Sequence, residues 1–228
     1  PGPEVQISCS LEVSEHVSTV ATLSWDGDWS ELEIRYGTDD ALEYEAEAKQ
    51  GEATLTGIPA GETLVYQVMA SGPTHTSTCE GSVDLAVPPS TIPPVQIDVH
   101  DPTLASTHPF LMVGVFDYGD RANLMVIDRS GGVVWYYEGT MGQLLLDFQV
   151  DLAGGGFLFN RFDATFSDDI GELERVDISG VSTETVRTPL GHHMFAQLPD
   201  GTIAYQTLDI REWTDPDTGE ISDVIADA

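Results

Sequence analysis

Two cysteines, Cys9 and Cys79, are the residues whose spacing speaks most directly of chemistry. Each sits in a strand-like stretch, Ile7-Ser8-Cys9-Ser10-Leu11 and Thr78-Cys79-Glu80-Gly81-Ser82-Val83. The first and last strands of a two-sheet domain can lie close enough for a bridge. A Cys9–Cys79 disulfide would close a loop of about 70 residues, worth about 2–4 kcal/mol in the chain-entropy account. It would also place the protein in an oxidising compartment. The alternative is two buried free thiols.

Other chemical candidates are weaker. Asp215-Pro216-Asp217-Thr218-Gly219-Glu220 alternates carboxylates around a glycine as calcium loops do, but lacks the glutamate at the twelfth place, and a hairpin turn explains it better. His100 and His108 flank Asp101, so a metal pair is conceivable, although lone surface histidines are the plainer reading. No metal site is expected. Gly154-Gly155-Gly156 is followed by neither a helix nor a lysine, so it is no phosphate cradle. No Gly-x-Ser-x-Gly elbow occurs. No cofactor is expected.

Charge narrows the partners. Thirty-nine acidic residues face eight basic ones, a net charge of -31, and Lys49 is the one lysine among 228 residues. Nucleic acid requires a basic footprint, and an anionic membrane surface would repel such a chain. A solvated acidic surface that keeps an exported protein soluble is the simple interpretation. No apolar run approaches the roughly 18 residues of a membrane span. Pro1-Gly2-Pro3 reads as a linker stub, so an export signal or a lipid-anchor cysteine would lie upstream. The expected location is periplasmic, cell-surface or extracellular.

The elements that must position these residues are short alternating strands punctuated by Gly, Asp and Pro, an all-β pattern. Residues 1–87 predict seven strands, near 4–13, 18–26, 31–37, 42–48, 52–57, 62–71 and 76–86, the count of a β-sandwich. Trp25, the stretch Leu32 to Gly37, and the corner Leu55-Thr56-Gly57-Ile58-Pro59 leading to Tyr66 resemble fibronectin type III domains. That resemblance implies a core position for Tyr66, with its hydroxyl bonded to backbone at the corner. Residues 88–99 are a Pro-rich linker containing Pro88-Pro89-Ser90-Thr91-Ile92-Pro93-Pro94, semi-rigid in polyproline geometry.

Residues 100–228 repeat a hairpin unit. Phe110–Phe116, Asn123–Asp128 and Val133–Tyr137 form its first round, with a turn at Ser130-Gly131-Gly132. Leu144–Val150, Gly156–Phe159 and Leu173–Asp177 form a second; His193–Leu198 and Thr202–Tyr205 open a third across Pro199-Asp200-Gly201. Such recurrence suggests blades of a β-propeller, about three here, whereas propellers close with about four to eight. The remaining blades are expected from the rest of a longer protein or from other chains.

Asp128-Arg129-Ser130-Gly131-Gly132-Val133-Val134-Trp135-Tyr136-Tyr137 resembles the first blade of the bacterial arylsulfotransferase family. Gly191-His192-His193-Met194-Phe195-Ala196-Gln197-Leu198-Pro199-Asp200-Gly201 is similar to that family's repeated segment, a histidine pair before a proline-Asp-Gly turn. Trp213 to Ile221 is a weaker likeness. The resemblance implies transfer of a sulfuryl group between phenols through a sulfated histidine, without a nucleotide donor. A neutral imidazole suits this, being nucleophilic near pH 7 and a good leaving group once sulfated. His193, or else His192, takes the place of a supporting or acid-base histidine, and the nucleophile is expected beyond residue 228. An aryl sulfate also needs a locally positive channel; Arg161, Arg175 and Arg187 lie in the blades. The competing reading is a cell-surface or extracellular binding or adhesion protein on the same scaffold, without turnover.

Overall fold

The computed structural model describes residues 6–38, 41–73, 75–98, 101, 107–117, 121–152, 154–163 and 171–227. Among these the chain is all-β, built of several antiparallel sheets and containing no helix. The contacts divide it into two compact units, residues 1–113 with 125–137, and residues 114–124 with 138–228.

The N-terminal strands are β1 (Cys9–Val13), β2 (Ala21–Trp25), β3 (Glu31–Thr38), β4 (Ala41–Ala46), β5 (Glu52–Leu55), β6 (Thr63–Ser71) and β7 (Thr76–Asp84). They number seven, as the alternation predicts. They form a three-stranded sheet, β1-β2-β5, and a four-stranded one, β4-β3-β6-β7. Period-two patterning aims one face of each sheet at a shared core. On β6, Leu64, Tyr66, Val68 and Ala70 are buried while the residues between them are less so. Leu23 and Leu55 meet them from the other sheet, with Trp25 and Cys79 packed at the margin.

Cys9 and Cys79 are joined, with Cα atoms 6.1 Å apart, linking β1 of one sheet to β7 of the other. The free-thiol alternative is thereby set aside. The corner at residues 55–61 differs from expectation in one respect. Its backbone partner is Tyr36, whose hydroxyl donates to Thr56 O at 3.0 Å. The Tyr66 ring is instead packed under Gly81, where any Cβ would collide with it. Tyr36 and Tyr66 lie opposite each other on β3 and β6.

The later strands are β8 (Phe110–Asp117), β9 (Arg121–Asp128), β10 (Val133–Tyr137), β11 (Gln143–Leu144), β12 (Phe148–Val150), β13 (Gly156–Asp163), β14 (Gly171–Asp177), β15 (Ser182–Arg187), β16 (Gly191–Gln197), β17 (Ile203–Thr214) and β18 (Ile221–Asp227). Their sheets run β10-β9-β8, then β11-β13-β14-β15 with β12 also on β13, then β16-β17-β18. Two of the connecting turns are near copies. Asp128 Oδ1 accepts from the Ser130 hydroxyl and from Gly132 N–H, and Asp177 Oδ1 accepts from the Ser179 hydroxyl and from Val181 N–H. In each the glycine takes a left-handed φ, 88° at Gly131 and 89° at Gly180, which side chains resist.

Candidate functional site

The histidine pair begins β16, and the segment before it explains why the strand starts there. Pro189 lacks an N–H and cannot extend β15. Thr188 N–H donates to Gly171 O at 2.7 Å, and Gly191 N–H donates to Thr188 O at 2.8 Å. Gly171 and Gly191 lie so close to Thr188 O that a Cβ on either would overlap it. The chain is therefore fixed just upstream of His192.

It is fixed downstream as well. Phe195 is buried and packs on Leu158 of β13 and Leu173 of β14. Its N–H donates to Asp147 Oδ2 at 3.0 Å, and its carbonyl accepts from Gln149 Nε2 at 2.8 Å. Between the two fixed points the β16–β17 pairing shifts register, from Gly191 to Phe195. His193 takes up the irregularity with φ of 51°, a left-handed conformation costing about 1–2 kcal/mol for a non-glycine residue. Its carbonyl accepts from Asn160 Nδ2 at 2.7 Å. The His193 residue itself is exposed. The side chain of His192 lies outside the described structure.

Asn160 is the hub of this arrangement. It is buried on β13, and its Oδ1 accepts from Leu146 N–H at 3.1 Å and Asp147 N–H at 2.9 Å. Sequence reasoning passed over Asn160, Asp147 and Gln149. A signal existed: an amide side chain inside Phe157-Leu158-Phe159-Asn160-Arg161-Phe162 is unusual for a strand, and burial obliges it to find partners. Gln197 adds a further tie, with Nε2 donating to Val150 O at 3.1 Å and Oε1 accepting from Leu152 N–H at 3.0 Å.

The arginines of these strands are engaged. Arg161 meets Glu172 at 2.7 Å and the buried Glu174 at 2.9 Å. Arg175 pairs with the buried Asp151 at 2.9 Å and with Glu184. Both guanidinium groups thus compensate carboxylates, and Arg187 lies exposed on β15. Asp215 closes a hairpin: its N–H donates to Glu220 O, and its Oδ1 accepts from Asp217 and Thr218 N–H at 2.7 and 3.1 Å. Those two bonds hold its carboxyl below the usual carboxylate value. Among the described residues, no group of three or more His, Cys, Asp and Glu is placed to hold a metal ion. His100, proposed with His108, lies outside them.

Three cavities lie among the described residues. One of about 390 Å³ lies over β3, β6 and β7, beside Glu31, Met69 and Thr76. One of about 310 Å³ adjoins Tyr44, Pro59 and Asp128, and one of about 100 Å³ is bounded by Asp151, Arg175, Gln197 and Pro199. No family model and no curated protein matches the chain.

Proposed function

We propose that the chain is part of an exported arylsulfotransferase-like protein that moves a sulfuryl group between phenolic compounds through a sulfo-histidine. In this reading residues 1–87 are a fibronectin type III-like sandwich, supported by two sheets around one core. The later sheets are successive propeller blades, supported by the copied turns at Asp128 and Asp177. The remaining blades come from the rest of the protein or from other chains. The bridged cysteines favour export.

One observation carries the reading: an exposed histidine near the start of β16, at a left-handed φ, with its carbonyl held by Asn160. His193 is then an acid-base or charge-stabilising group beside a sulfuryl centre. The test is incubation of the natural protein with 4-nitrophenyl sulfate and an acceptor phenol. Acceptor-dependent release of nitrophenolate is expected, and His193→Ala should lower turnover by about 10²-fold or more. The variant should keep its melting temperature. A variant that unfolds, or turns over undiminished, returns His193 to a structural role.

A binding or adhesion protein without turnover is the second reading. It is favoured by the net charge of -31 and by Glu31, Glu43, Glu45, Glu80 and Asp84, exposed on the four-stranded sheet. Absence of nitrophenolate release, together with calcium-independent capture of a cationic partner, would support it.

A further inference from the structure

We propose that Asn160 and Asp147 are positioning residues for His193, a proposal that rests on His193 being the acting group. Between Gly191 and Phe195 the ladder to β17 is interrupted. Side chains outside that sheet take over: Asn160 holds the His193 carbonyl, and Asp147 holds the Phe195 N–H. The two grips flank Met194, so the peptide that follows the imidazole is fixed at both ends. With Phe195 seated on Leu158 and Leu173, the reversal is taken up at His193, whose φ of 51° is the result.

The residue types follow from the bonding. Asn160 gives one N–H and accepts two through a single planar amide, and neither a carboxylate nor an apolar side chain can do both. Burial strengthens the requirement, since an unmatched polar atom there is costly. Asp147 is itself placed by Asn160, which accepts its N–H at 2.9 Å and donates its own backbone N–H to Asp147 O at 3.1 Å. Asn160 thus orients the histidine twice, directly and through Asp147. Such preorganisation fixes the backbone that carries the imidazole, and so its point of attachment, while charge develops on a reacting group.

The test uses the whole chain with 13C-labelled histidine, read by NMR alongside amide hydrogen exchange. Asn160→Asp keeps the accepting oxygen and removes the donor to His193. The expected result is a displaced His193 ring signal and about tenfold faster exchange at the Phe195 amide, with Leu173 on β14 unchanged. Asp147→Ala, which removes only the acceptor of the Phe195 N–H, carries the same expectation and decides the matter if Asn160→Asp fails to fold. An unmoved ring signal, or uniform acceleration across β14 and β16, overturns the proposal. Titration with phenyl sulfate separates the two readings. A parent His193 signal that ignores it counts against the transferase, while the ring and exchange measurements still decide positioning. A response that weakens in Asn160→Asp supports both.

Discussion

Tyr36 shows how one side chain couples burial, bonding and pH. Its ring stacks on Tyr44 at 5.3 Å and its hydroxyl reaches Thr56 O, and burial pushes the phenol above its ordinary value of 10.0. A raised folded-state pKa contributes stability that is whole below the unfolded value and is lost as pH climbs through the folded one. Urea midpoints should therefore fall as pH passes about 10. Tyr36→Phe should cost about 0.5–1.5 kcal/mol near neutrality and make that alkaline fall shallower. Tyr66, also raised by burial, leaves part of the fall in place. Asp215 has the opposite sign. Its lowered carboxyl pKa favours the folded hairpin above the ordinary 3.8 and stops doing so as pH falls, which a carboxyl NMR titration reads directly.

At the scale of elements, the copied turns and the cross-sheet bridge set the testable quantities. The Asp128 carboxylate satisfies two N–H donors and a hydroxyl, and that of Asp177 an N–H and a hydroxyl, which an open turn would leave to water. Asp177→Ala should cost about 0.5–2 kcal/mol, seen as faster amide exchange at Val181 on the β14–β15 connection. An unchanged rate there would show that the glycine conformation alone closes the turn. The Cys9–Cys79 bridge spans two sheets and a separation of 70 residues. Replacing both cysteines with serine should lower stability by about 2–5 kcal/mol in chemical unfolding, with secondary structure retained.

Across the molecule, charge and long-range ties dominate. A net charge of -31 repels itself, and salt shortens the reach of that repulsion from about 30 Å at 0.01 M to about 8 Å at 0.15 M. The melting temperature should accordingly rise with sodium chloride over that range, and a flat response would mean that the carboxylates are locally neutralised. Within the first compact unit, β10 is tied to the connections between the N-terminal strands. Thr19 Oγ1 donates to Val134 O at 2.8 Å, Ala60 N–H donates to Val133 O at 2.8 Å, and Tyr136 Oη accepts from Ser18 N–H at 3.1 Å. Thr19 is fully buried, so Thr19→Val leaves the Val134 carbonyl short of a partner. That variant should lose about 1–3 kcal/mol of global stability, rather than loosening β10 alone.

Local signals in the sequence determined the all-β class, the seven N-terminal strands and the hairpin at Asp215, whereas the Cys9–Cys79 bridge, open in the sequence against two free thiols, was decided by the tertiary structure. Alternation, glycine at left-handed φ and aspartate before a turn act over a few residues, so a linear reading finds them. Only the tertiary structure decided that Tyr36 reaches the corner and that the Tyr66 ring packs against Gly81, since both have the right type and sit opposite each other in the sheet. It alone decided that Arg161 and Arg175 serve buried carboxylates. It alone brought Asp147, Asn160 and His193 together, and tied Val133–Tyr137 to the connections at Ser18, Thr19 and Ala60. Those bonds depend on which backbone groups are left unpaired when sheets meet, and such groups have no periodicity along the chain.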